Sequence, residues 1–484
     1  MNIRGVLKHF SLDEEVVARI LNALNSEKRL VMIRAPAGSG KTTIVLCRAV
    51  ELAQQGVRTG VFFRTISQVD YALGLIRRIL RISNVSVKVV PVVGKVRLCL
   101  NPPPDSDPFP KWCDYSKCPL RSRGKRVKEF PSVPESLEQL MNIGRSNGVC
   151  PYYLSLSEAR KADIVIATQA FFINDKLMEM LGKLDIAVVD EAHGLMHLIT
   201  EISEEEYRRG RELSSMRLED MSIEDAGILS RYEDYVDTDG DEVVLRGEGK
   251  RLKVVPPIRL IRKRLESVKK IILVSATIYP TGLFGLLFAR GIDAEIEVIP
   301  GLIRETEKRK ILGVVVEDLS SKRELRTPRQ YDRYAYVIRK LIKRIGKPAL
   351  ILAPSYEFAQ ELSKRLGFPV CRDPREAKGD VVIGVLRGRF SEGIEVNLGA
   401  PLRLLVIAGL PYRPRSPEFL SMVKVYAREY GVDFYELARA IEESDMINAL
   451  IQALGRVGRR ERGVAVILDS RVRKKNLGVR LVFV

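Results

Sequence analysis

Short apolar stretches rich in β-branched residues alternate along the chain with segments in which apolar residues recur every three or four positions. The short stretches are typical of buried parallel strands, and the longer segments are typical of the helices that connect them. The strands predicted in this way form two series: Leu30–Arg34, Val61–Arg64, Ile164–Ala167, Ile186–Val189 and Ile271–Val274, then Ala349–Leu352, Val381–Val385, Leu404–Ile407 and Val464–Leu468. The pattern predicts an α/β chain with parallel sheets and crossover helices.

Two segments interrupt this alternation. Residues 98–150 are rich in Pro, Cys and basic residues, whereas residues 194–242 have a helical pattern and end in the acidic run 237–241. That run lacks the later ligands of an EF-hand, so we interpret it as a turn and not as a calcium site. Both segments are interpreted as insertions into the first α/β domain. The predicted division is 1–98, completed by 151–193 and 243–300; 99–150; 194–242; and 301–484.

The composition is that of a globular protein with more than one domain, since the chain has 484 residues, of which 46% are hydrophobic. Its formal net charge of +19 favours a polyanionic partner such as nucleic acid. A charged surface suited to high temperature is the alternative. No apolar stretch reaches membrane-spanning length and residues 1–10 hold no long apolar core, so we expect a cytoplasmic protein without a membrane partner.

A glycine-rich turn follows the first predicted strand and leads into a helix. Such a turn lets successive backbone N–H groups surround a phosphate at a helix N-terminus. Lys41 is expected to reach the β- and γ-phosphates and the Thr42 hydroxyl to bind Mg²⁺, which predicts ATP with Mg²⁺ as the cofactor. The predicted phosphate-binding loop, or P-loop, consists of Ala35, Pro36, Ala37, Gly38, Ser39, Gly40, Lys41 and Thr42.

Two further groups complete a predicted hydrolytic site. Asp190 and Glu191 end a buried strand, where one carboxylate suits Mg²⁺ and the other suits activation of a water molecule. Gln452, Arg456 and Arg459 recur on neighbouring turns of one helix, where the guanidinium groups suit stabilisation of transition-state charge. Without the P-loop, the acidic pair would be interpreted as a helix cap and the arginines as a basic helix end.

Four of the six cysteines fall within or beside the first insertion: Cys99, Cys113, Cys118 and Cys150. In a reducing compartment, clustered cysteines indicate a metal site more than disulfides. Four thiolates suit either a [4Fe–4S] cluster or tetrahedral zinc, and the spacing alone does not decide between them. Cys47 and Cys371 lie apart and are interpreted as small core residues.

With these motifs in place, the chain resembles the superfamily 2 helicases and, more narrowly, the XPD-like iron–sulfur helicases, including their bacterial DinG branch. The motifs occur in the order typical of that family and extend over most of the chain, with the Asp190–His193 run as its DEAH box. The matching runs are Ala35–Thr42, Phe63–Thr65, Asp190–His193, Ser275–Thr277, Pro354–Phe358, Arg387–Glu395 and Gln452–Arg459.

The resemblance implies two RecA-like motor domains with ATP between them, and 5′→3′ translocation on single-stranded DNA. It implies unwinding of forked DNA, a role in DNA repair, and a monomer that works with repair or replication proteins. It also favours the [4Fe–4S] cluster over zinc, since the four cysteines lie where the family carries its cluster. The residues that it implies contact DNA, or couple DNA to ATP, are Arg64, Thr65, Ser391 and Glu392.

The chain departs from the family pattern in three places. The motif at 275–277 reads Ser-Ala-Thr where XPD proteins usually have a central Gly, and residues 1–29 hold no Gln that could recognise the adenine base. Residues 194–242 are short for the family's Arch domain, so a reduced Arch is expected. A DNA-stimulated ATPase that translocates without unwinding is therefore the alternative function, and a non-catalytic DNA-binding scaffold is a second. The basic run 121–128 suits either a grip on DNA or a solvated loop.

Overall fold

A computed structural model gives the fold. It describes residues 2–102, 118, 120, 127, 129–300, 309–315, 319–374, 377–386, 398, 400–455, 457, 463–474 and 480–483.

The strands in chain order are β1 (Leu30–Arg34), β2 (Thr59–Phe63), β3 (Val89–Val92), β4 (Ile164–Thr168), β5 (Ile186–Asp190), β6 (Ile199–Ser203), β7 (Asp241–Leu245), β8 (Lys250–Val254), β9 (Lys270–Ser275), β10 (Ala294–Val298), β11 (Arg309–Val315), β12 (Ala349–Ala353), β13 (Val381–Val385), β14 (Leu404–Ile407), β15 (Gly463–Ile467) and β16 (Arg480–Phe483).

The α-helices within the described residues are α1 (Ile3–Lys8), α2 (Glu14–Leu24), α3 (Lys41–Ala53), α4 (Ile66–Ser83), α5 (Lys95–Leu98), α6 (Leu137–Asn147), α7 (Pro151–Ala159), α8 (Gln169–Ile173), α9 (Asp175–Met180), α10 (Glu204–Leu213), α11 (Ile223–Asp237), α12 (Pro257–Ser267), α13 (Thr281–Ala289), α14 (Pro328–Ile345), α15 (Tyr356–Leu366), α16 (Pro417–Tyr430) and α17 (Phe434–Leu454).

Two parallel sheets form the frame of the molecule. The first has the order β10-β1-β9-β5-β2-β4-β3 and the second the order β13-β12-β14-β15-β11-β16. Every pairing within each of them is parallel. The predicted α/β fold with two RecA-like parallel-sheet domains is confirmed, and all nine predicted strands are present within a few residues of their expected ends.

The central strands form where they do because they are apolar on both faces. Each residue of β2, β12 and β13 is buried, as expected for strands covered by helices on both sides of a sheet. Edge strand β10 is partly buried except at the exposed Ile296, and its sequence Ala-Glu-Ile-Glu-Val carries no continuous apolar signal. The core strands were therefore predictable, and this edge strand was not.

The second insertion, together with the residues that follow it up to Val254, contains a small antiparallel sheet, β6-β8-β7, and the helix pair α10–α11. Its helices begin with side-chain caps, including a capping box in which Ser203 and Glu206 each hold a backbone N–H of the other. The acidic run 237–241 lies at the end of α11 and the start of β7, so its interpretation as a turn between elements agrees with the structure.

Helix α17 joins the two sheets physically. Its first half contributes Leu437, Ala438 and Ile441 to the core of the first sheet, and its second half, including Ile447 and Leu450, packs in the core of the second. One helix therefore links the core of the first sheet to the segment that contains Gln452.

Helix α16 follows the second series of strands in sequence but packs in the first core. Tyr426 Oη donates to the carbonyl oxygens of Met196 at 3.0 Å and Val255 at 3.2 Å, and Tyr430 Oη donates to that of Leu287 at 2.8 Å. Both tyrosines are fully buried. Within the described residues, no helix is long and apolar enough to cross a membrane.

Candidate functional site

The P-loop connects the end of β1 to the start of α3. Gly38 and Gly40 have φ values of 78° and 83°, which favour glycine. A Cβ at Gly40 would also lie 2.4 Å from Leu12 Cδ2, so the loop passes too close to the α1–α2 connection for a side chain. The sequence thus folds locally into the tight turn that brings backbone N–H groups and the N-terminus of α3 together.

Lys41 is the buried cation of this turn. Its Nζ donates to the carbonyl oxygens of Ala35 at 3.2 Å and Pro36 at 3.0 Å. Burial lowers the pKa of Lys41, while the charges of Glu191 and Asp190 oppose that shift. The ammonium group therefore lies at the carboxyl end of β1, within the electrostatic reach of both carboxylates.

Asp190 lies at the end of β5 and meets the P-loop directly. Its Oδ2 accepts a hydrogen bond from Thr42 Oγ1 at 2.7 Å, and its Oδ1 accepts one from the backbone N–H of Glu191 at 2.9 Å. Burial, followed by the nearby charge of Glu191, raises the pKa of Asp190. A hydroxyl and a carboxylate oxygen thus converge at the position where the sequence predicts Mg²⁺.

Glu191 adopts a left-handed backbone conformation, with φ of 52°, that turns its side chain toward the end of β9. Its Oε2 accepts a hydrogen bond from Ser275 Oγ at 3.0 Å and lies 3.3 Å from His193 Nδ1. Burial alone would raise its pKa, but His193, the charge of Lys41 and Ser275 together hold the pKa of Glu191 below its usual value. The residue is therefore kept as a carboxylate able to accept a proton.

His193 connects this carboxylate to two residues farther away. Arg64 Nη1 lies 3.2 Å from His193 Nε2, and because an arginine only donates, Nε2 is the acceptor and Nδ1 carries the proton. Nδ1 lies 3.0 Å from Ser275 Oγ. Gln452 Nε2, from α17, also lies 3.2 Å from His193 Nε2. This set, which we name the His193 junction, comprises Glu191, Ser275, His193, Arg64 and Gln452.

The second lobe also approaches the P-loop at Gly455, just past the end of α17. A Cβ built at Gly455 would lie 3.9 Å from Ala37 Cβ, which is ordinary van der Waals contact. Arg456 and Arg459, the predicted transition-state cations, lie outside the described residues, as do Ser391 and Glu392.

Thr65 has a local structural task. Its Oγ1 accepts from the backbone N–H of Gln68 at 3.3 Å, and the Gln68 side chain accepts from the backbone N–H of Thr65 at 3.0 Å. This capping box starts α4 directly after Arg64. The predicted DNA-contacting pair therefore lies at the carboxyl end of β2, with Arg64 held by the His193 junction and Thr65 fixing the start of the next helix.

Two polar residues of the site were missed by the sequence analysis. Gln169 is buried, and its Nε2 donates to the carbonyl oxygens of Asp190 at 2.6 Å and Glu191 at 3.4 Å, which fixes the turn after β5. His197 Nε2 lies 2.7 Å from Asp445 Oδ1, on α17. The signal for Gln169 was its position two residues after the predicted strand 164–167. His197 offered none, since its partner is 248 positions away.

The predicted cluster cysteines are described only in part. Cys99 ends α5 and Cys150 precedes α7, whereas Cys113 lies outside the described residues, as does the basic run 121–128 except Val127. Burial raises the pKa of Cys99, and the charges of Cys150 and Cys118 add to the shift. Within the described part of the chain, no three His, Cys, Asp or Glu residues lie close enough to hold a metal ion.

The remaining cysteines have different surroundings. Cys47 is fully buried in α3, and burial raises the pKa of its thiol to about 12, as expected for an inert core residue. Cys371 is partly buried, and its Sγ donates to the carbonyl oxygen of Asp373 at 2.9 Å.

Comparison with known proteins finds matches in both lobes. The family model DEAD_2 matches residues 62–209, and the family model for a helicase C-terminal domain matches residues 368–482. The chain is 25% identical over 493 aligned positions to the ATP-dependent DNA helicase XPD of Sulfolobus acidocaldarius, an alignment that covers 84% of this chain and 86% of that protein.

Solved structures show the same fold. One named XPD_Helicase matches with a TM-score of 0.71 at 21% identity, covering 97% of this chain and 98% of that chain. The structure of S. tokodaii Xpd4 matches with a TM-score of 0.56 at 16% identity, covering 97% and 99%. The resemblance predicted from the motifs is confirmed: in sequence and in fold, the chain is similar to the XPD-like helicases.

Proposed function

We propose that this protein is an ATP-dependent DNA helicase that translocates 5′→3′ on single-stranded DNA and unwinds duplexes during DNA repair. One observation carries the proposal: the His193 junction joins the carboxylate suited to ATP hydrolysis with Arg64, a predicted DNA contact, and with Gln452 of the second lobe. Such a connection suits a motor, because a motor must relate nucleotide state to strand binding and lobe position.

The residues at the strand ends fit Mg–ATP. The buried ammonium of Lys41 would exchange its two carbonyl partners for phosphate oxygens, and the convergent oxygens of Thr42 and Asp190 would hold Mg²⁺. Bound Mg²⁺ supplies charge neutralisation for phosphoryl transfer. The backbone of residues 35–42 would bind the phosphates.

Glu191 is the proposed general base. Its low pKa keeps it ionised at neutral pH, and Ser275 and His193 hold it in one orientation, so it can position and deprotonate the attacking water. Arg456 and Arg459 would stabilise charge on the transferring phosphoryl group, since Gly455 already lies beside Ala37 of the P-loop. Gln452 would relate the second lobe to this step through His193.

The DNA track is proposed to run across both lobes, with Arg64 and Thr65 on the first and Ser391 and Glu392 on the second. Arg64 is positioned for it because it sits at the carboxyl end of β2 and already contacts His193. Single-stranded and forked DNA are the proposed partners, together with repair or replication proteins. We propose that the protein works in the cytoplasm as a monomer.

A [4Fe–4S] cluster is proposed for the first insertion. The donor set fits such a cluster in chemistry, because four thiols in one insertion are the ligands that such a cluster takes. Cys99, Cys113, Cys118 and Cys150 would hold it. Iron and sulfide analysis of protein purified without oxygen tests this, with roughly four of each expected per chain. One zinc per chain would contradict it.

Stimulation of ATP hydrolysis by single-stranded DNA tests whether the protein is a motor. We expect the wild-type rate to rise when DNA is added, and we expect the Lys41→Ala variant to lose both nucleotide binding and hydrolysis. A chain that binds DNA and shows no ATP hydrolysis would be the non-catalytic scaffold. A chain with stimulated hydrolysis and no strand separation would be the translocase.

A further inference from the structure

Helix α14 presents a line of basic side chains on the outside of the second lobe. Counted from Arg329, its members recur at intervals of three or four positions up to an adjacent pair at the end of the line, so they share one face of the helix. We name this set the α14 stripe; it consists of Arg329, Arg333, Tyr336, Lys340, Lys343 and Arg344. At about 1.5 Å per residue, its two ends are separated by about 22 Å along the helix.

The stripe lies on the sheet face opposite the nucleotide cleft. The buried side of α14 packs with Ile351 of β12, whereas the neighbouring Leu350 belongs to the core that contains Ala276 of the first lobe. Because adjacent residues of a strand point to opposite faces of a sheet, α14 and the cleft are on different sides of the second lobe. The proposed DNA track between the lobes therefore does not include the stripe.

Four cations of the stripe are available to a partner. Arg329, Lys340, Lys343 and Arg344 are exposed, and none of them forms an ion pair with a described residue. Three nearby carboxylates of α14 and α15 already have partners. Asp332 pairs with Arg365 at 2.7 Å, Glu361 with Lys364 and Arg365 at 2.6 Å each, and Glu357 with Arg326 at 3.6 Å.

The second insertion shows what a charged surface looks like when its charges are satisfied internally. There, Arg209 pairs with Asp225 at 3.0 Å, Arg231 with Glu206 at 2.8 Å and Arg251 with Glu204 at 2.8 Å. Such networks are what a surface adapted to high temperature uses. Arg329, Lys340, Lys343 and Arg344 of the α14 stripe have no such ion pairs among the described residues, so their charges suit an external polyanion.

An aromatic ring lies in the middle of the stripe. Tyr336 is 57% exposed, and Lys340 Nζ lies 4.5 Å from the centroid of its ring. A line of cations with an exposed ring between them is the combination that binds single-stranded nucleic acid, because the cations contact phosphates and the ring stacks on a base. A duplex offers no free base face on which such a ring could stack, so the ring favours a single strand.

From these observations we propose that the α14 stripe is a second binding surface for single-stranded DNA, separate from the track between the lobes. It would hold the part of a strand that extends beyond the motor, or the strand that has been displaced. The proposal rests on the proposed function only in taking DNA as the polyanion.

The test compares a short single-stranded oligonucleotide, just long enough to give full ATPase stimulation, with one several times longer. Fluorescence anisotropy at several salt concentrations measures the affinity of the wild type and of the variant Lys340→Ala/Lys343→Ala/Arg344→Ala for each. We expect the variant to lose about tenfold in affinity for the long oligonucleotide, with a salt dependence that is weaker by about 0.7 in log–log slope per lost phosphate contact. Affinity for the short oligonucleotide and the ATPase rate stay unchanged.

A control variant removes the same amount of charge elsewhere. Arg208→Ala/Arg211→Ala/Arg217→Ala changes three exposed arginines of the second insertion, and we expect it to bind both oligonucleotides like the wild type. Tyr336→Ala should lose about tenfold for the long single strand by removing a stacking contact, and nothing for a duplex of equal length.

Three results would overturn the proposal. The first is that the stripe variant and the wild type bind the long oligonucleotide with equal affinity, which would indicate an acidic protein as the partner of the stripe. The second is equal loss in the control variant, which would show a bulk charge effect. The third is equal loss on the short and long oligonucleotides, which would place the stripe on the motor track. Failure of the proposed function would give a different result, because the short oligonucleotide would then not stimulate ATP hydrolysis by the wild type.

Discussion

Two histidines four positions apart both reach from the first lobe to α17 of the second, and their surroundings differ. His193 lies 3.2 Å from Gln452 and, on its other nitrogen, 3.0 Å from Ser275, which holds Glu191. His197 lies 2.7 Å from Asp445, and Arg413 donates to its Nδ1 at 3.0 Å. Because arginine only donates, Nε2 of His197 carries the proton toward Asp445.

These different surroundings indicate that His193 and His197 have different tasks at the contact between the lobes. The His193 junction includes a candidate catalytic carboxylate and a candidate DNA contact, whereas the hydrogen-bond partners of His197 among the described residues belong to the second lobe. The His197 contacts lie near the middle of α17, between its anchors in the two cores. We therefore interpret His193 as a coupling residue and His197 as a residue that holds the lobes together.

The largest effect on ATP hydrolysis is expected when Glu191, the carboxylate of the His193 junction, is replaced. Glu191→Gln keeps the shape of the side chain and removes its basicity, so we expect nucleotide binding to persist and ATP hydrolysis to fall by a factor of about 10²–10⁴. Steady-state hydrolysis with saturating single-stranded DNA, beside equilibrium nucleotide binding, measures both. Hydrolysis near the wild-type rate would show that another residue activates the water.

His193→Ala should have the next largest effect. It leaves Lys41, Thr42 and Asp190 in place but disconnects Glu191 and Ser275 from Arg64 and Gln452. We expect basal hydrolysis to fall modestly and stimulation by single-stranded DNA to fall by about tenfold, equivalent to the loss of about 1.4 kcal/mol of coupling. The ratio of the ATP hydrolysis rates with and without DNA measures this stimulation. An unchanged ratio would show that His193 does not couple DNA binding to hydrolysis.

His197→Ala is the matched control, with an effect on stability. It leaves the partly buried Asp445 and Arg413 without their shared partner, so we expect a loss of about 1–2 kcal/mol in the stability of the lobe interface. The DNA-stimulation ratio should equal that of the wild type. Thermal unfolding of His197→Ala, Asp445→Ala and the double variant measures the pair. If the two single losses simply add, the side chains do not act together.

The smallest effect concerns pH and the docking of α16. Asp241 contacts Arg259 at 3.1 Å and Arg428 of α16 at 2.6 Å. Partial burial would raise the pKa of Asp241, but these two arginines hold it below its usual value. Since the pKa in the folded chain is lower than in the unfolded chain, the carboxylate stabilises the fold above about pH 4 and loses this contribution as the pH falls through the folded pKa.

Melting temperatures of the wild type and Asp241→Asn from neutral pH downward measure this contribution. The wild type should melt higher at neutral pH, and the difference should shrink at the acidic end. A difference that stays constant across the range would show that the charge of Asp241 contributes nothing to the docking of α16.

Much of the frame and the nucleotide end of the site could be predicted from the sequence because their signals are local. A strand buried on both faces has to be apolar throughout, as in β12, and a phosphate-binding turn needs its glycines at fixed positions, as at Gly38 and Gly40. Lys41, Thr42, Asp190 and Glu191 fall at strand ends that the sheet brings together.

The remaining features depend on which elements meet in space. Helix α16 follows the strands of the second lobe, yet Tyr426 and Tyr430 are buried in the first core, and an amphipathic pattern does not specify which core it faces. His197 and Gln169 likewise act through partners that only the fold brings near. The sequence of α14 shows that its exposed face is basic. Only the sheet topology shows that this face lies on the side of the second lobe opposite the cleft.

Unwinding of duplexes with either a 5′ or a 3′ single-stranded tail, by the full chain purified without oxygen, tests whether the protein is a 5′→3′ helicase. We expect ATP-dependent strand separation of the 5′-tailed duplex, little separation of the 3′-tailed one, and none of either by Glu191→Gln. Hydrolysis of ATP on both substrates without separation of either would contradict it and would establish a translocase in place of a helicase.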